Sequence, residues 1–219
     1  MQKHAQFTKP ARRFYWINLK TFALGFLFFF AFGIAGYALI LPLLGFSGPI
    51  HTRLAALPAV YFCAHTVGGA CALMLAPFQL LKPSKQKWHK VRGYLYVISV
   101  VFSGISGFYI AQDAYGGLSS VFALSLLAFM WLASTFIGIY KAISRQPEAH
   151  KKWMIRSVAL TFSAITLRLI SPILYEFFNL YTAQQIIYWS CWLINLTIAE
   201  YFIRQHLSNI RDAEPTRKI

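Results

Sequence analysis

Charge is scarce in this chain: Asp, Glu, Lys and Arg make up 12% of its 219 residues, against 58% that are hydrophobic. That balance lies far outside the makeup of a soluble domain and excludes one. Cysteine is scarce too. Cys63, Cys71 and Cys191 each sit inside an apolar run, so neither a disulfide framework nor a Cys-x-x-Cys metal site is indicated, and they read as small buried apolar residues. The 21 Lys and Arg give a net charge of +15, but they are spread along the chain. No zinc, helix-turn-helix or RNA-binding signature accompanies them, which argues against a nucleic-acid partner. The first apolar run exceeds the roughly 7 to 15 residues of a signal-peptide core and is not followed by a convincing cleavage site, so it is expected to stay as a membrane span.

What the sequence has instead is a series of long apolar runs. They predict an all-α, polytopic transmembrane bundle of six spans, at about 22–44, 54–81, 93–112, 118–140, 157–175 and 186–203. The spans form one domain over 21–206, between a basic N-terminal segment at 1–20 and a charged tail at 207–219. Lys and Arg alternate strictly along this series: the segments before span one, between two and three, and between four and five hold 5 each, and the tail holds 4. The intervening loops hold 1, 0 and 0. The positive-inside rule then places both termini and both long loops in the cytoplasm, with the chain in the cytoplasmic (inner) membrane. Anionic lipid is the expected partner of the basic loops.

A faint repeat relates the two long loops. One carries Pro83 and then W-H-K-V-R-G; the other carries Pro147 and then E-A-H-K-K-W-M-I-R-S. Proline can open a helix at its first position, and Glu148 suits the positive end of the helix dipole. His89 and His150 therefore fall in early turns of two helices of the same orientation, at equivalent depths.

The stretch from His150 to Pro172 is the most informative. It starts basic and continues as an apolar helix interrupted by Arg168, about 18 Å of helix beyond Arg156. His150, Ser157, Thr161 and Arg168 share one stripe of that helix. An arginine cannot neutralise itself by losing a proton, and mid-bilayer it costs at least about 2.5 to 3.5 kcal/mol. Glu200, a bound anion or cofactor carboxylates are its candidate partners, although Arg204, four residues after Glu200, competes for that carboxylate. Pro172 lacks the amide that would bond the Arg168 carbonyl, which predicts a kink there. His65, in the second span, is flanked by Gly68, Gly69 and Ala72, which leave room either for close helix packing or for a ligand. Trp131 reads as packing.

His89 and His150 as a pair have the chemistry to ligate a metal or a haem iron, with Arg92 and Arg156 beside them as partners for propionates. Taken singly, each is a solvated histidine in a basic loop, touching lipid phosphate.

Over roughly 64–172 the chain resembles a bacterial family of small multi-pass membrane proteins known only as a domain of unknown function. The resemblance rests on His65 with Gly69, His89 with Gly93, H-K-K-W-M-I-R-S from His150 to Ser157, and Arg168 ahead of Pro172. The chain is more loosely similar to six-helix b-type cytochromes and membrane ferric reductases, which hold haem between histidines on their third and fifth helices. That similarity implies one haem b on His89 and His150. No histidine on span four opposes His65, so a second haem is not implied. The resulting expectation is a single-haem electron-transfer protein serving a quinone or small acceptor, with His65 and Arg168 as an inner polar site. The alternatives are a small-solute or proton-linked carrier using His65 and Arg168, and a membrane assembly subunit.

Overall fold

A computed structural model describes residues 12–44, 58–80 and 86–213, and the described residues are helical but for short links. We number the helices α1 (Arg12–Leu44), α2 (Ala59–Leu80), α3 (Gln86–Ala111), α4 (Gly117–Ile143), α5 (Pro147–Thr161), α6 (Ser163–Phe177) and α7 (Leu180–Ala213). Five stretches are long and apolar enough to cross a membrane: Ala59–Leu80, Lys87–Ala111, Gly117–Ile143, Pro147–Phe177 and Leu180–Gln205. In α1 the apolar stretch is the shorter Leu24–Ile40. The membrane-spanning all-helical expectation therefore holds for five spans, and the sixth rests on α1. Residues 1–11 and 214–219, and with them parts of the two flanking segments, lie outside the described residues, as do 54–57 and Pro83.

Several helices start earlier than the apolar runs suggest, among them the two that carry His89 and His150. α3 begins at Gln86, so the basic string around His89 is already helical. α5 opens with Pro147 in its first turn and Glu148 beside it, in keeping with the proline and dipole argument.

The fifth span carries an interruption that its sequence does not announce. The helix runs through Pro172, which lies inside α6, and the interruption falls ten residues earlier at Phe162. There the Ile165 amide bonds the Phe162 carbonyl in a three-residue turn. Thr161 donates its hydroxyl to the Ser157 carbonyl one turn back, a bond that competes with the helical ladder and bends helices.

α2, α3, α4 and α5 form a ring in which each packs on the next and α5 returns to α2. α7 covers α4, α5 and α6, while α1 lies on α2 and touches α6. The main core joins Ala72, Ala76, Tyr96, Val100, Trp131, Val158, Leu160, Cys191 and Trp192. A second core joins Ala31 and Ala35 of α1 to Ala70 and Leu73 of α2 and Ile165 of α6. The spans alternate in direction along the chain, with α5 and α6 together making one span. The links before α3 and α5 and the end of α7 thus share one end, which we call the basic end.

Close approach of α2 to α3 depends on glycine. A Cβ on Gly68 would stand 2.9 Å from the Ser99 carbonyl oxygen, and one on Gly107 would stand 2.9 Å from the His65 ring. At the opposite, bare end the α3–α4 turn uses Gly116 and Gly117 at φ 106° and 73°, and Gln185 of α7 donates to the Gly116 carbonyl at 2.8 Å.

Candidate functional site

Small hydroxyl residues in the middle of α3, α4 and α5 make a closed polar network inside the ring. The Tyr96 hydroxyl lies 2.8 Å from Ser157 Oγ and 2.7 Å from Thr161 Oγ1. Thr135 Oγ1 lies 2.7 Å from Ser157 Oγ, and Trp131 Nε1 donates to Thr161 Oγ1 at 2.9 Å. Tyr96 and Ser157 are wholly buried, and the other three nearly so. With no water inside a bilayer, every such group must find its partner within the protein, and these do.

The Tyr96–Ser157 bond also sets a register. α3 and α5 run in the same direction, and the bonded pair are 61 positions apart. His89 and His150 share that spacing and stand seven residues before their respective partners, on the same helical faces, because seven residues are close to two turns. The two imidazoles therefore occupy one layer at the basic end, half-buried and within electrostatic reach of each other. His150 Nδ1 is 2.8 Å from the Gly138 carbonyl oxygen. A carbonyl only accepts, so Nδ1 carries the proton and a neutral ring keeps its lone pair on Nε2.

The arginines of that layer are differently engaged. Arg92 donates through Nε to the Trp88 carbonyl at 3.2 Å, lies 5.6 Å from the centre of the Phe78 ring, and is within reach of His89. Arg156 stacks 4.5 Å from the centre of Trp153 and binds Glu200 with both arms of its fork, at 2.5 and 3.1 Å. Glu200 thus pairs with Arg156, leaving Arg168 without it.

Further toward the bare end lies the second pair. His65 Nδ1 is 3.0 Å from the Ser103 carbonyl, and Ser103 Oγ returns a bond to the His65 carbonyl at 2.9 Å. His65 and Ser103 clamp α2 to α3 reciprocally, while the outer part of the His65 residue is exposed on the bundle surface. Arg168 is half-buried on α6 and donates to the Ala164 carbonyl of its own helix at 2.9 Å. It is within electrostatic reach of both His65 and Tyr37. Among the described residues it forms no ion pair.

Sequence reasoning on single residues passes over Tyr96, Thr135 and Ser103 and reads Trp131 as packing alone. The missing signal was periodicity on α3, where His89, Tyr96 and Ser103 repeat every seven residues and match the stripe through His150 and Ser157. Among the described residues no group of three or more His, Cys, Asp or Glu side chains is placed to hold a metal ion.

Together the bundle and its internal polar groups define a multi-pass integral membrane protein. Residues 62–203 match the family described as "Predicted membrane protein (DUF2306)", and the chain belongs to that family. No curated protein and no solved structure matches the chain.

Proposed function

We propose that this protein carries one b-type haem at the basic end of the bundle, with His89 and His150 as axial ligands, and passes single electrons to or from a quinone or small acceptor. The observation that supports the reading is the layer fixed by the Tyr96–Ser157 bond, which brings the two imidazoles to one depth from two helices. The hydrogen bond from His150 Nδ1 to Gly138 adds to it, because ligating histidines hold their other nitrogen on a carbonyl or carboxylate in this way. Arg92 is the propionate partner nearest His89, whereas Arg156 is taken by Glu200. A haem held there would supply one-electron transfer, and the protein would supply ligation, orientation and a low-dielectric surround. The basic end faces the cytoplasm in this reading, since it collects the Lys and Arg.

Hemin titrated into the detergent-purified chain is expected to give a Soret band that saturates at one haem per chain. The double variant His89→Ala, His150→Ala should lose the band, and Arg168→Leu should keep it. A folded wild-type chain that develops no specific Soret band would remove the proposal.

One observation favours a second reading. Arg168 has no carboxylate partner among the described residues although it lies deep in a span, as expected of a carrier that neutralises a solute anion inside the membrane. Anion flux into proteoliposomes that Arg168→Leu abolishes, with no bound chromophore, would select it.

A further inference from the structure

We propose that Arg168, His65 and Tyr37 form a site open to the bilayer that takes an oxyanion head carried on an apolar tail. The inference rests on the second reading of Arg168 as a binding residue and is independent of the haem.

An arginine inside a span ordinarily stretches its stem toward the nearer headgroups and keeps its charge wet. Arg168 does the opposite, because its Nη1 reaches back to the Ala164 carbonyl, one turn farther from the bare end. Ala164 is about 20 Å of helix from Phe177 and about 25 Å from Pro147, so the guanidinium is held near the middle of the span. One N–H is spent on that carbonyl, and four of the five donors remain for a ligand.

His65 gives its Nδ1 proton to the Ser103 carbonyl, so the neutral ring presents Nε2 as an acceptor. Ala35 of α1, Ala70 of α2 and Ile165 of α6 pack in one cluster, and Tyr37, two residues past Ala35, adds a hydroxyl beside Arg168. Donors from Arg168 and Tyr37 beside an acceptor on His65 suit an acidic head whose oxygens accept from the guanidinium and whose remaining O–H, where it has one, donates to the imidazole. Carboxylate and phosphate monoester heads share the oxyanion.

Tyr37 is 49% exposed, and His65 is exposed on α2. Ile40, three residues after Tyr37, and Leu169, next to Arg168, are exposed apolar side chains as well, so the open side of the site suits lipid chains rather than water. A ligand entering from that side must itself be soluble in the bilayer, which requires a tail.

The test is native mass spectrometry of the full chain in detergent micelles, incubated separately with oleic acid, phosphatidic acid, phosphatidylcholine, acetate and inorganic phosphate. Oleic acid, phosphatidic acid or both should be retained as a one-to-one adduct, and the responding arm identifies the head. Arg168→Gln should lower the adduct at least tenfold; Arg168→Lys should keep most of it and shows that the fold tolerates change there. Lys151→Gln, at the basic end, should have no effect. Adducts equally abundant in wild type and Arg168→Gln would overturn the site. Retention of acetate or inorganic phosphate as strongly as the tailed acids would overturn the bilayer entry while leaving the carrier reading standing. Retention of phosphatidylcholine at the same level would overturn the preference for an acidic head.

Discussion

Tyr96 on α3 and Ser157 on α5 are hydrogen-bonded at 2.8 Å across the interior of the helix ring, and this contact sets which residues of the two helices share a level. His89 and His150 lie two turns below it on the same faces. The hydroxyl of Tyr96 reaches Thr161 as well, at 2.7 Å. Tyr96→Phe removes both bonds while keeping the ring. Interhelical hydrogen bonds in membranes are worth about 0.6 kcal/mol on average and up to about 1.7. Thermal unfolding in detergent should therefore show a loss of about 1 to 3 kcal/mol, and an unchanged midpoint would mean that these hydroxyls do not hold α3 to α5.

Arg156 and Glu200 tie α5 to α7 through a two-armed ion pair whose side chains are 22% and 32% exposed. Partial exposure screens the pair, so its coupling should be modest, about 1 kcal/mol. A double-mutant cycle with Arg156→Gln and Glu200→Gln measures it. Additive single effects would show that the pair contributes nothing beyond its members. Because Glu200 is committed here, neither substitution should alter oxyanion retention at Arg168.

Gly68 brings α2 against the backbone of α3. In Gly68→Val even the first side-chain carbon would stand 2.9 Å from the Ser99 carbonyl oxygen, and backbone cannot give way as a side-chain tip can. Overpacking of this kind costs about 1 to 3 kcal/mol, and it should also break the reciprocal bonds between His65 and Ser103. Accelerated proteolysis of the purified variant, relative to Gly25→Val, where the added carbon meets open space, would register it. Equal resistance would contradict the close packing of α2 and α3.

Arg145 closes the α4–α5 link with φ 55°, a left-handed conformation that glycine adopts without strain. The Gln146 amide bonds the Lys141 carbonyl around it, as a helix C-terminal turn requires. Arg145→Gly should stabilise the protein by about 0.5 to 1 kcal/mol, read as a raised unfolding midpoint. A lowered midpoint would show that the arginine side chain contributes more than its backbone costs.

Much of this architecture was legible in the residues themselves. Apolar run length located the spans, and Pro147 followed by Glu148 marked the start of α5. The equivalence of the two histidine-bearing helices came from the matching strings around His89 and His150. Other features depended on partners that a linear reading does not supply. Pro172 predicts a kink on its own, whereas the interruption at Phe162 involves partners across the bundle, with the Thr161 hydroxyl on the Ser157 carbonyl and Ser157 bonded to Tyr96 and Thr135. Glu200 reads as a candidate partner of Arg168 because both are charges in apolar helices. Only the side-by-side packing of α5 and α7 shows Arg156 to be the residue within reach. Ser103 carried no signal alone, since its role is defined by His65 across α2 and α3.

The most direct measurement is the low-temperature EPR spectrum of the ferric, hemin-loaded chain. Two imidazoles on one iron give a low-spin signal, and that is the result expected of the wild type; His89→Ala or His150→Ala alone should convert it to high spin. A high-spin signal from the wild type, or a low-spin signal that survives both single substitutions, would contradict the ligation of one iron by His89 and His150.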